Sequence, residues 1–124
     1  PRCDAHDMGD DDPAATFGYV ALELGKRKIA FICTREHFSA PALTPALKKA
    51  FGGGLIANEQ FTRESAAHIL EQGTADAVAF GRAYIANPDL VERFQKGAPL
   101  NKLDTNTMYG GGPKGYTDYP PLEA

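Results

Sequence analysis

Apolar positions in this chain follow two rhythms, helical spacing in some windows and short continuous runs in others. Phe17, Val20, Ala21 and Leu24 stand at helical spacing behind Asp12-Pro13, a cap residue and a first-turn proline, and Gly25 supplies a stop. This predicts an amphipathic helix packed on a sheet. Beyond the basic Lys26-Arg27-Lys28, the run Ile29 to Cys33 has the continuous apolar character of a strand buried on both faces, and it ends abruptly in Thr34-Arg35-Glu36-His37. Thr44-Pro45 then caps a short apolar face of Leu47, Ala50 and Phe51, closed by Gly52 to Gly54. Leu55-Ile56-Ala57 forms a second strand that closes in Asn58-Glu59-Gln60, and Thr62 caps a helix with Ala66, Ile69 and Leu70 on its apolar side and Gly73 at its end. Asp76 leads into a third buried strand, Ala77 to Phe80. It stops at Gly81-Arg82 and passes through a short connection into a helix opened by Asn87 with Pro88 in its first turn.

Strands separated by helices in units of this size predict an α/β fold with parallel pairing. Three such strands leave open edges and uncovered faces, so the pattern predicts a piece of a larger sheet or barrel. In such folds ligands collect at the carboxyl ends of strands. A glycine lets backbone approach an oxyanion and an adjacent arginine adds a charged, forked donor, a role that Gly81 and Arg82 fit. The plainer alternative is a turn glycine beside a surface arginine.

Composition narrows this further. The 124 residues, 43% hydrophobic and 23% charged, fit one soluble globular domain, and the net charge of -3 is spread over both signs without a basic stripe. Nucleic acid and membrane are therefore not expected partners. A polar opening and no long apolar run predict a cytoplasmic protein, and a start at Pro1 without methionine implies that something precedes it. Cys3 and Cys33 make no disulfide framework, and Cys33 reads as core. His6 and Asp7 lie in an Asp-rich stretch without converging ligand spacing, a solvated loop and not a metal site. From Ala98 to Ala124 the chain turns polar and glycine-rich around several tyrosines, irregular structure whose aromatic content favours a packed cover over a free terminus.

The run from Ala77 to Arg93 with its Gly81-Arg82 pair, then Ala98-Pro99-Leu100-Asn101, and Tyr109 to Pro120 closely resemble the C-terminal part of the Old Yellow Enzyme family. The opening Pro1 to Asp10 and Ile32 to His37 resemble its bacterial branch of xenobiotic, glycerol trinitrate and N-ethylmaleimide reductases. The resemblance spans essentially the whole chain. It implies an FMN-dependent ene-reductase on a TIM (β/α)8 barrel, of which this chain holds strands six to eight, with residues 1–97 as three β/α units and a further helix and 98–124 as a tail over the barrel. NADPH or NADH would be the reductant, and activated alkenes, nitro compounds or nitrate esters the small-molecule substrates.

Carried over by position, the resemblance makes Gly81 and Arg82 contacts of the FMN phosphate, joined by the loop of Asn58, Glu59 and Gln60. Glu59 stands where the family has a small residue, so only its main-chain N–H suits the role. Met108 and Tyr109 match tail residues against flavin and substrate, and His37 is a candidate pocket-lining residue. The family's carbonyl-holding pair, proton-donating tyrosine and flavin-ring contacts fall on earlier strands, so no catalytic residue is assigned here, and the N-terminal part of the barrel is the implied partner. Two alternatives stand beside this: a non-catalytic fragment kept as an interaction module, and another phosphate-binding β/α barrel enzyme, against which Tyr116-Thr117-Asp118-Tyr119-Pro120 argues.

Overall fold

The computed structural model describes residues 9–37 and 42–122, so Cys3, His6 and Asp7 lie outside the described residues. The chain divides into two compact units, one through Ala79 and one from Phe80 onward.

In the first unit, α1 (Pro13–Lys26), β1 (Phe31–Arg35), α2 (Thr44–Phe51), β2 (Gly54–Asn58), α3 (Arg63–Glu71) and β3 (Ala77–Val78) alternate. The sheet is parallel in the order β1-β2-β3, with Cys33 opposite Ile56 and Ile56 opposite Ala77. Asp12 caps α1 as expected, its Oδ1 accepting from Ala15 N–H at 3.0 Å with Pro13 in the first turn. Phe17, Ala21 and Leu24 face the core, whereas Val20 is exposed. Gly25 is not the stop. The helix runs on to Lys26, and a Cβ on Gly25 would collide with the Phe51 carbonyl oxygen, so this glycine lets α1 and α2 approach.

Leu43, Leu47, Phe51, Leu55, Ala57, Ile69 and Ala75 complete the core with Ala21, all on the helix side of the sheet. On the other face, exposed side chains are found among the described residues. Phe31 is 53% exposed and Cys33 is exposed, while Thr34 on the helix side is buried. This corrects the first strand twice: it begins at Phe31 and not Ile29, and Phe31 and Cys33 on it are exposed, so Cys33 is not core. The third strand likewise shrinks to Ala77–Val78, with Ala77 exposed.

Thr44 is not the side-chain cap of α2. The buried Glu36 takes that place, its Oε1 and Oε2 accepting from Leu43 N–H at 2.8 and 3.0 Å and its Oε2 from Thr44 N–H at 2.9 Å and Thr44 Oγ1 at 2.7 Å. The carboxylate satisfies donors that a helix start leaves unpaired. At α3 the reading holds, with Thr62 and Ser65 forming a reciprocal capping box.

Asp76 joins the sheet to α2, accepting from Leu55 N–H at 2.7 Å and from Lys48 Nζ at 2.8 Å. The Lys48 ammonium, and then the Leu55 amide, hold its carboxyl below the usual range. A carboxyl lowered on folding contributes stability above its unfolded pKa of about 3.9 and loses it as pH falls through the lower folded value. Asp76→Asn should therefore lower the urea midpoint at pH 7, and the gap to wild type should close progressively below about pH 4. A gap unchanged down to pH 2 would contradict this role.

The second unit contains α4 (Arg82–Ala86) and α5 (Leu90–Lys96). The expected short connection after Gly81 is thus a helix, and α5 begins two residues later than Asn87-Pro88 foretells, with Asp89 at its cap position. Asn87 is buried and bridges instead: Nδ2 donates to Ala83 O and Oδ1 accepts from Asn101 N–H, both at 2.8 Å. No described helix is long and apolar enough to cross a membrane.

Residues 98–122 are irregular, as expected, yet well tied. Arg93, 4% exposed, donates from Nε to Asp89 Oδ1 at 2.7 Å, from Nη1 to Pro99 O at 2.7 Å and from Nη2 to Pro120 O at 3.0 Å. Asp89 Oδ2 accepts from Leu122 N–H at 2.6 Å.

Candidate functional site

The turn after β2 is conformationally unusual. Glu59 has φ 112° and Gln60 φ 56°, values in the left-handed region that side chains other than glycine rarely take. Their N–H groups donate to no other backbone group among the described residues. Asn58 Nδ2 donates to Ala79 O at 2.7 Å, fastening the turn to the segment after β3. The Glu59 carboxylate is turned into an ion pair, its Oε2 accepting from Arg35 Nε at 2.8 Å and lying 2.7 Å from Arg35 Nη2. This side chain is 13% exposed, so its charge is partly shielded from solvent and matched. Parallel register sets Arg35 opposite Asn58, one residue before Glu59. Sequence reading singled out Glu59 but missed Arg35; opposite charges at the ends of successive strands were the available signal. His37, half-buried, follows β1 in the same unit.

Gly81 and Arg82 are consecutive at the start of α4, whose first hydrogen bonds run from Tyr84 and Ile85 N–H to Gly81 O, each at 3.0 Å. Gly81 has φ -90°, so no left-handed turn demands glycine there. A Cβ would meet nothing within 4 Å, which leaves open space above its backbone. Arg82 is exposed and forms no ion pair among the described residues.

Met108 and Tyr109 line a pocket of about 540 Å³ with Gly111, Gly112, Pro113, Tyr116 and Thr117. Met108 is buried and Tyr109 is 73% exposed, so the thioether belongs to the wall and the phenol ring to the mouth. Asp104 sets this loop: its Oδ1 accepts from Asn106 N–H and its Oδ2 from Thr107 Oγ1, both at 3.0 Å, while its own N–H donates to Tyr119 OH at 2.8 Å. The Asn106 amide and the Thr107 hydroxyl hold its carboxyl below the usual range. Gly115, with φ 72°, is required here, because a Cβ would strike Thr107 Oγ1. Among the described residues no group of His, Cys, Asp and Glu is arranged to hold a metal.

Residues 19–101 match the NADH:flavin oxidoreductase / NADH oxidase family. A probable flavin mononucleotide-dependent alkene reductase from Leishmania infantum is 43% identical over 118 residues, 93% of this chain and 32% of that protein. Among solved structures, morphinone reductase in complex with tetrahydroNAD superposes with a TM-score of 0.85 at 45% identity, covering 93% of this chain and 32% of that one. The old yellow enzyme of Trypanosoma cruzi gives a TM-score of 0.87 at 31% identity, covering 95% and 32%. The chain thus spans about a third of the length of the relatives it matches. Its parallel strands are the C-terminal portion of a TIM barrel. Taken with the Gly81-Arg82 pair past the third strand, these matches make the chain a member of the NADH:flavin oxidoreductase / NADH oxidase family.

Proposed function

We propose that this chain is the FMN-phosphate-anchoring part of an ene-reductase that uses NADH or NADPH to reduce activated alkenes, nitro compounds or nitrate esters. The observation that carries the proposal is Arg82: an exposed guanidinium without an ion pair among the described residues, beside a glycine whose backbone faces open space. These residues fit a phosphate. Arg82 gives a charged fork, and Gly81 lets the anion reach main-chain N–H. Within the first unit, the N–H groups of Glu59 and Gln60 are anion donors in their own right, and pairing with Arg35 removes the repulsion that a free Glu59 carboxylate would exert. FMN, when bound, supplies hydride transfer, a chemistry no side chain here provides.

The chain's own contribution is binding and shaping. Met108 presents a polarizable sulfur that packs on ring edges, and Tyr109 offers ring and hydroxyl at the pocket mouth. The catalytic groups belong to the N-terminal part of the barrel. A nicotinamide reductant is supported by the tetrahydroNAD held by morphinone reductase. Anaerobic stopped-flow on the complete barrel tests the reading. Bleaching of the flavin band by NADH or NADPH and its return on adding an α,β-unsaturated ketone is expected; a band that neither reductant bleaches would refute it.

A non-catalytic interaction module is the second reading, favoured by the exposed sheet residues Phe31, Cys33 and Ala77. It predicts a stable complex with another protein that carries no flavin.

A further inference from the structure

Phosphate binding by the turn after β2 does not by itself call for a glutamate. At φ 112° glycine would sit without strain, whereas Glu59 is strained there and brings a negative charge next to two N–H groups that an anion would use. Such strain persists only where the surroundings over-determine the backbone. Here Asn58 Nδ2 ties the turn to Ala79 O at 2.7 Å, and Arg35, on the neighbouring strand, grips Glu59 Oε2 from Nε at 2.8 Å and from Nη2 at 2.7 Å. The register of β1 on β2 places it there, Arg35 lying opposite Asn58.

We infer that Arg35 is a positioning residue for the flavin phosphate: by clamping the Glu59 carboxylate it holds the 58–60 turn in a glycine-like shape with its N–H groups available, and it cancels the charge that would repel the anion. The inference rests on the reading that this turn faces the FMN phosphate. Without Arg35 the carboxylate is released, and the turn either relaxes or presents an unmatched negative charge to a dianion. Without Glu59 this clamp on the turn is gone.

The test is a cycle in the complete barrel protein, comparing Arg35→Gln, Glu59→Gly and the double variant by titration with FMN and with riboflavin, which lacks the phosphate. Arg35→Gln should raise the FMN Kd about tenfold or more, the scale of a lost charged hydrogen-bond arrangement, and leave the riboflavin Kd unchanged. On the Glu59→Gly background, adding Arg35→Gln should cost much less FMN affinity than it does in the wild type. Arg35→Lys keeps the cation but loses the two-pronged grip, and it carries the same test if the glutamine variant does not fold. Equal losses with and without Glu59, equal losses for FMN and riboflavin, or no loss at all would overturn the inference. Arg82→Ala separates the two levels. If it weakens FMN selectively while Arg35→Gln does not, only the role of Arg35 falls; if neither variant affects FMN, the phosphate reading falls with it.

Discussion

Arg93→Ala is expected to destabilise the protein by about 3–5 kcal/mol, the range for removing one partner of a buried ion pair. The guanidinium is 4% exposed and serves three acceptors at once: Asp89 Oδ1 within α5, Pro99 O just beyond the helix, and Pro120 O near the chain's end. Truncation removes this donor from all three, leaving Pro120 O to Asn101 Nδ2 and the Asp89 carboxylate to Leu122 N–H. Asp89 also accepts from Leu122 N–H, so loosening it should release the last described residues as well. Hydrogen exchange followed by mass spectrometry should show lost protection concentrated in residues 98–122, with the β1 and β2 amides little changed. A variant with wild-type stability and unaltered exchange in the tail would remove Arg93 from this role. Because the tail also carries Met108 and Tyr109, the same variant should disturb the pocket they line.

Arg82→Ala carries the second large effect. It should weaken FMN binding by about 1.5–3 kcal/mol, the worth of a hydrogen bond to a charged group, which is roughly tenfold to a hundredfold in Kd. The side chain is exposed and has no ion pair to lose among the described residues, so the stability of the flavin-free protein should stay within about 0.5 kcal/mol of wild type. That split between ligand affinity and stability separates an anion-binding arginine from a structural one. Riboflavin affinity should be unaffected. Unchanged FMN affinity would sink the assignment of Arg82 to the phosphate.

Local signals were read well where they act locally. Asp12-Pro13 starts α1, Thr62 builds its capping box with Ser65, and the left-handed Gly52 ends α2, because each depends on residues within a turn of itself. The parallel pairing also followed from the helices that separate the apolar runs. What failed depended on distant partners. Thr44 looks like a cap, but Glu36, distant along the chain, reaches the same amides with a full charge. Asn87-Pro88 looks like a helix start, yet Asn87 is used to bridge Ala83 and Asn101, while Asp89 at the cap position spends its carboxylate on Arg93 and Leu122. Cys33 sits in an apolar run, but its burial depends on what covers the second face of the sheet. At the site, the Gly81-Arg82 pair could be singled out from composition and position. The orientation of Glu59 could not, since it needs the strand register that brings Arg35 alongside.

The central claim is that this chain completes a flavin-binding barrel. Native mass spectrometry of the purified assembly, with a visible absorption spectrum of the same sample, tests it most directly. The account predicts one FMN for each complete barrel, a yellow sample, and release of FMN as a single mass step on denaturation. A stable, folded assembly containing the remaining strands, colourless and without FMN even after incubation with excess cofactor, would contradict it.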